Sequence, residues 1–220
     1  MKVIGITGGI GSGKSTFLKS LEGRNDTKIV YTDDIAKYLM KKGETAYKKI
    51  VFFFGDDILL ENGEINRNLL GDIVFNNKNK LAVLNSIVHP IVKNEIISDI
   101  TNPETIGRYR YYFIESALLL ESHYEKICDE VWYIYSPEDV RIKRLVLNRN
   151  MTAEHILEIM STQMSDVEIR EKYLRGIIPH TIDNGIKEFD VHPKFIEISN
   201  WDDELISKDK LQRIQKLLLD

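Results

Sequence analysis

Lys2-Val3-Ile4-Gly5-Ile6-Thr7 is a short, almost continuous apolar run, the pattern of a central strand covered on both faces. It leads through Gly8–Gly13 into Lys14-Ser15-Thr16 and then Phe17-Leu18-Lys19-Ser20-Leu21, whose apolar spacing is helical. Lys28–Tyr31 reads as a second short strand ending at Thr32-Asp33-Asp34, and Asp34–Met40 as a helix with a carboxylate at its start. From Glu44 to about Thr101 the pattern is helix after helix, with no run long enough for a sheet strand. Thr45–Phe54 is amphipathic, its phenylalanines read as core, and Glu61-Asn62-Gly63-Glu64 is a tight turn. Arg67–Phe75 and Lys78–Val88 follow as helices, and Pro90 is expected only in the first turn of another.

Strand character returns at Arg110–Glu115 and Val131–Tyr135. Ser136-Pro137-Glu138-Asp139 then predicts a helix start, Ser as cap and Pro at the first position, with the helix running to Arg149. Ser165-x-x-Glu168 predicts a capping box, Thr181–Gly185 a short final strand with a turn, and the stretch from Trp201 a charged amphipathic helix. Strands alternating with helices imply an α/β fold with a parallel, helix-covered sheet.

Composition narrows the function more than the fold. The 30 basic and 34 acidic residues leave a net charge of −4, which speaks against a bulk-basic nucleic-acid binder but leaves room for a local basic pocket. The single cysteine, Cys128, excludes a disulfide framework and any multi-cysteine metal site, and a free thiol suits a reducing compartment. The five histidines show no H-x-x-x-H spacing. The longest apolar run, Ile50–Phe54, is far short of the ~20 residues that span a bilayer, and the N-terminal residues do not form a signal-peptide pattern. The expectation is a soluble, cytoplasmic protein with neither a nucleic-acid nor a membrane partner.

The chemistry starts at Gly8-Gly9-Ile10-Gly11-Ser12-Gly13-Lys14-Ser15, which fits the phosphate-binding pattern G-x-x-x-x-G-K-[ST] between a strand and a helix. Glycines let the backbone wrap closely around phosphate oxygens, and successive N–H groups form an anion nest at the positive end of the helix. Lys14 would reach the β- and γ-phosphates, Ser15 would ligate Mg²⁺, and Thr16 would touch the α-phosphate. Ligands of open α/β sheets sit beyond the carboxyl ends of strands. Asp33 is therefore either a catalytic carboxylate beside this loop or, with Asp34, a helix cap. Arg141 and Arg144 share a helix face and Arg149 ends it, either as a lid that neutralises phosphate or as a solvated basic face.

These features together resemble the dephospho-coenzyme A kinase family over roughly residues 1–184. Gly5–Thr16 is similar to that family's loop, and Asp33-x-Ile35-Ala36-Lys37 to its D-x-[IV]-A-R/K element. Gly63-x-Ile65-x-Arg67-x-x-Leu70-Gly71-x-Ile73-Val74-Phe75 and Leu84-Asn85-x-Ile87-x-His89-Pro90 resemble its middle segment. Glu115-x-Ala117-Leu118-Leu119-x-Glu121 resembles its P-L-L-[FL]-E segment, with Ala117 where proline is usual. Ser136-Pro137-Glu138, Arg141, Arg144, Arg149, Gln163 and Ile182-Asp183-Asn184 follow in the order of its lid and final strand.

The resemblance implies a P-loop kinase fold with a parallel sheet, a helical substrate-binding insertion and an Arg-bearing helical lid. The core would be 1–43, 105–140 and 176–220, the acceptor domain 44–104 and the lid 141–175. It implies transfer of a phosphoryl group from Mg·ATP to the ribose 3′-hydroxyl of dephospho-coenzyme A. Asp33, Lys14 and Arg144 would be catalytic. Gly9, Gly11, Ser12, Gly13, Lys14, Ser15, Thr16, Arg144 and Asn184 would bind ATP, Asn184 near the adenine. Thr7, Asp33, Arg67, His89 and Glu115 would bind the acceptor, in a monomer or small homo-oligomer. The alternative is a P-loop kinase for another nucleoside or nucleoside monophosphate, which leaves Leu84–Pro90 unexplained. A GTPase switch is disfavoured, because D-x-x-G is absent and Asn77-Lys78-Asn79-Lys80 lacks the closing aspartate of N-K-x-D.

Overall fold

The computed structural model describes residues 1–75, 77–175, 180–183, 186–189 and 192–200. The chain divides into two compact units, Met1–Ile29 with Gly107–Asp220, and Val30–Ile106.

The first unit is built on a sheet. Its strands are β1 (Lys2–Thr7), β2 (Thr27–Tyr31), β3 (Tyr111–Glu115), β4 (Glu130–Tyr135), β5 (His180–Asp183), β6 (Ile186–Phe189) and β7 (Lys194–Ser199), in the spatial order β2-β3-β1-β4-β7-β6-β5. β1 pairs in parallel with β3 (Ile4 opposite Phe113) and with β4 (Ile4 opposite Glu130), and β4 pairs in parallel with β7 (Tyr135 opposite Ser199). Val3–Thr7 and Tyr111–Ile114 are buried, as a strand covered on both faces requires. The core packs Trp132 between Phe17 and Phe113, with ring centroids 5.9 and 6.0 Å apart. Burying each such ring contributes about 1.5–3 kcal/mol. The Trp132 indole N–H donates to Glu130 at 2.7 Å, so the ring is buried without an orphaned donor.

The sheet corrects the expected C-terminal end. Thr181–Asp183 is in a strand, but two more strands follow it. β5, β6 and β7 form an antiparallel meander, so the sheet is mixed at this edge, and on the side away from β1 the parallel neighbour of β4 is β7. The residues from Trp201 onward, read as a terminal helix, lie outside the described residues.

Helices in this unit are α1 (Lys14–Lys19), α7 (Glu138–Arg149), α8 (Ala153–Ser161) and α9 (Asp166–Tyr173). The capping box at α9 is present: Glu168 N–H donates to Ser165 Oγ, and Ser165 N–H to the Glu168 carboxylate. The cap of α7 is Pro137, one residue later than expected, with φ −52° and ψ 149°. Ser136 is buried and its hydroxyl is engaged elsewhere, so it cannot serve as the cap.

The second unit is helical: α2 (Thr32–Leu39), α3 (Thr45–Phe54), α4 (Arg67–Phe75), α5 (Lys78–Ile100) and most of α6 (Pro103–Arg108). Leu39, Ala46, Ile50, Ile58, Leu70, Val74, Val88, Val92 and Ile96 form its core. The phenylalanines of α3 are not that core. Ala46 and Ile50 make the buried stripe four residues apart, while Phe52 is 92% exposed and Phe53 52%.

Pro90 also departs from expectation, because it lies inside one 23-residue helix, α5, rather than at the start of a second. Its missing N–H frees the carbonyl of Ser86. Both residues are exposed, so the freed carbonyl is not shut away from solvent and the helix continues. Among the described residues, no helix is long and apolar enough to cross a membrane.

Candidate functional site

The loop between β1 and α1 turns where glycine permits it. Gly11 and Gly13 hold positive φ, +82° and +97°, and Gly13 is the cap from which α1 begins. Ser12 N–H donates to Gly9 O at 3.1 Å, and Phe17 N–H to Gly13 O at 3.0 Å. Lys14, 8% exposed, folds back over this loop. Its ammonium donates to Gly8 O at 2.6 Å and Gly9 O at 3.3 Å, and stands 4.0 Å from the Glu115 carboxylate. Ser15 and Thr16, in the first turn of α1, are exposed. Thr7 ends β1 and Glu115 ends β3, both at the carboxyl edge of the parallel strands. The loop residues Gly9, Gly11, Ser12, Gly13, Lys14, Ser15 and Thr16 are thus one structure, with Lys14 at its centre.

Side chains from later in the chain brace the loop. Asn200, just past β7, donates its amide to Ser12 O at 2.8 Å, and Ser136 Oγ donates to the same carbonyl at 3.2 Å. Arg144 donates to Ser136 Oγ and to Asn200 O, each at 3.1 Å. Gln163 accepts from Ile10 N–H at 2.9 Å, and Arg141 is buried against Gly9. Arg144 reaches the loop through Ser136 and Asn200, both of which bond the Ser12 carbonyl. Asn200 was not anticipated, and Ser136 was expected only as the cap of α7. A signal for Asn200 existed, since Phe195-Ile196-Glu197-Ile198 is a strand-like run and the residue after a parallel strand faces the ligand edge. Asn184, expected near the adenine, lies outside the described residues.

In the helical unit, Asp33 occupies the first turn of α2 and is exposed, but it is not the cap, which is Tyr31. Asp34 is taken up by an ion pair with Lys37 at 2.7 Å. His89, on α5, has its pKa lowered by burial, an effect opposed by the charge of Asp33, so these two groups are electrostatic neighbours. Arg67 opens α4 and is exposed. Among the described residues no three His, Cys, Asp or Glu side chains gather as a metal site.

Comparison with known proteins agrees with this architecture. A family model described as dephospho-CoA kinase matches residues 2–179. The dephospho-CoA kinase of Carboxydothermus hydrogenoformans is 38% identical over 164 residues, covering 74% of this chain and 79% of that protein. Two solved structures share the fold. A Thermus thermophilus protein superposes with a TM-score of 0.71 at 23% identity, over 99% of this chain and 96% of its own. The dephospho-CoA kinase of Campylobacter jejuni superposes with a TM-score of 0.61 at 24% identity, over 98% and 96%. On the strength of the family match and the identity to its relatives, this chain belongs to the dephospho-CoA kinase family.

Proposed function

We propose that this chain transfers the γ-phosphoryl group of ATP to the ribose 3′-hydroxyl of dephospho-coenzyme A, giving coenzyme A and ADP, the last step of coenzyme A biosynthesis. The observation that carries the reading is the loop Gly8–Ser15 with Lys14 folded into it, in a chain of this family. Loop carbonyls hold the Lys14 ammonium among backbone groups, a cation already desolvated where phosphate oxygens bind.

The acceptor oxygen attacks the γ-phosphorus, the bond to the β–γ bridging oxygen breaks, and ADP leaves with the electron pair. Asp33 takes the hydroxyl proton; its exposed carboxylate is free of the capping duty that would have occupied it. Lys14 and Arg144 neutralise the charge that spreads over the transferring oxygens. Gly9, Gly11, Ser12 and Gly13 cradle the phosphates, Thr16 meets the α-phosphate, and Asn200 joins Asn184 as a nucleotide-site residue. Thr7, Arg67, His89 and Glu115 shape the acceptor pocket.

Ser15 fits Mg²⁺, since its hydroxyl is exposed in the first turn of α1, and this ion takes few protein ligands beside phosphates and water. When bound it supplies charge neutralisation at the β- and γ-phosphates. The helices within 44–104 form the acceptor domain and those within 141–175 the lid, in a cytoplasmic monomer or small homo-oligomer.

The test is a coupled ADP-release assay with Mg·ATP against dephospho-coenzyme A, pantetheine, adenosine, AMP and deoxynucleoside monophosphates. Turnover confined to dephospho-coenzyme A is the expected result. Turnover only on a nucleoside or a monophosphate would reassign the acceptor.

A further inference from the structure

Arg141 belongs to α7, yet its guanidinium lies against the phosphate loop and the residue is only 8% exposed. The space it fills exists because residue 9 is glycine: a Cβ built there would overlap the guanidinium. The carbonyl of Arg141 also stands near Gly11, 2.9 Å from where a Cβ would lie. Its charge is balanced at a distance, with the Asp166 carboxylate 3.8 Å from its terminal nitrogen, and its Nε is buried with no hydrogen-bond partner among the described residues.

Asp166 is itself held from below. It is the first residue of α9, and the hydroxyl of Tyr133, on β4, donates to its other carboxylate oxygen. Tyr133 is 2% exposed, and burial, reinforced by Asp166, pushes its phenol pKa upward, so the hydroxyl stays a donor. Three residues before Asp166, Gln163 accepts from Ile10 N–H. Ile10 is thus hydrogen-bonded just ahead of α9, and its neighbour Gly9 lies against the guanidinium that the first residue of α9 counters.

We propose that Arg141 and Asp166 form a clasp that positions the phosphate loop, with Tyr133 holding the carboxylate in place, so that Asp166 governs ATP affinity without touching the nucleotide. The guanidinium sits in the space that Gly9 leaves open, and it stays there only while a counter-charge lies within reach. Remove that charge and a buried cation is left uncompensated, which drives it toward solvent and takes the support from Gly9. The groups that act on the transferring phosphoryl are untouched. The clasp is thus a positioning device and rests on the nucleotide reading given above.

Equilibrium ATP binding and steady-state kinetics on the full chain test this. Asp166→Asn is expected to raise both the Kd and the KM for ATP by about tenfold, the scale of a charge-assisted contact, with kcat changed by less than about twofold. Arg141→Met should do the same, Arg141→Lys should recover part of the loss, and the Arg141→Met/Asp166→Asn double variant should bind no worse than Arg141→Met alone. Should Asp166→Asn fail to fold, Tyr133→Phe carries the test, since it frees the carboxylate and leaves both charges. Wild-type ATP affinity in Asp166→Asn, losses that simply multiply in the double variant, or a lower melting point with no split between KM and kcat would each overturn the clasp. A wild-type chain that binds no ATP would overturn the nucleotide reading and the clasp with it.

Discussion

The side-chain amide of Asn200 donates to the carbonyl of Ser12 at 2.8 Å, tying the end of β7 to the phosphate loop across 188 residues of sequence. Asn200 is 6% exposed, and a Cβ on Gly13 would overlap its amide, so the two have no slack between them. Asn200→Ala is expected to cost about 1–3 kcal/mol of stability, the range for removing a buried hydrogen-bonding partner, and to weaken ATP binding. Urea unfolding and an ATP titration measure both. An unchanged unfolding midpoint would show that the bond contributes nothing.

Lys14 is the cation at the centre of the loop, hydrogen-bonded to Gly8 O and Gly9 O. Lys14→Ala is expected to weaken ATP binding and to lower turnover by about 10²–10³-fold, the cost of losing one preorganised donor to developing charge. Because the ammonium also cross-links the loop, apo stability should fall slightly. Turnover close to wild type would remove Lys14 from phosphoryl transfer.

Asp33 is expected to separate binding from chemistry. Asp33→Asn keeps shape and removes the base, so ATP affinity should stay near the wild-type value while kcat drops by about 10²–10⁴-fold. Because Asp33 is exposed and does not cap α2, the variant should lose no more than the ~0.3–1 kcal/mol that a first-turn carboxylate contributes. A kcat near normal would mean that the proton leaves by another route.

What was legible in the sequence was mostly local. β1, the glycine loop and the start of α1 follow one another within fifteen residues, and each is specified by its own pattern. So are Arg67–Phe75 and the Ser165/Glu168 box, where the structure agrees residue for residue. The C-terminal edge of the sheet was not legible. His180–Asp183 and Lys194–Ser199 are both short strand-like runs, and nothing local decides which of them lies beside β4. That is settled by register, Tyr135 opposite Ser199, which puts Asn200 rather than a residue of the earlier run against Ser12. Ser136 was misread for a related reason. As a cap its hydroxyl would serve α7, but tertiary partners, Arg144 and the Ser12 carbonyl, claim it instead.

Pro90 offers a test of how tertiary packing overrides propensity. Val88, Val92 and Ile96 bury one face of α5 and hold the helix through the proline, whose own face is exposed. Pro90→Ala restores the N–H to the Ser86 carbonyl. The gain in helix propensity, up to ~3 kcal/mol, is reduced by the ~0.4–1 kcal/mol of unfolded-chain entropy that proline saves. A net stabilisation of about 1–2 kcal/mol by urea unfolding is expected. A destabilised variant would mean that the proline ring is itself part of the packing.

His89 makes stability depend on pH with a definite sign. Burial lowers its pKa in the folded protein from the ordinary value of 6.5, and the charge of Asp33 offsets only part of that. The unfolded chain therefore binds a proton more readily than the folded one, and stability rises with pH wherever the unfolded state holds more protons. The contribution is fully present above the ordinary imidazole value and is lost as the pH falls from there through the folded value. Two measurements check it. An NMR titration should find the His89 ring titrating below the ordinary imidazole value, and the unfolding free energy of His89→Gln should fall less on acidification than that of the wild type. In Asp33→Asn the opposing charge is gone, so the His89 titration should move lower still. A shift upward would reverse the assigned roles of burial and charge.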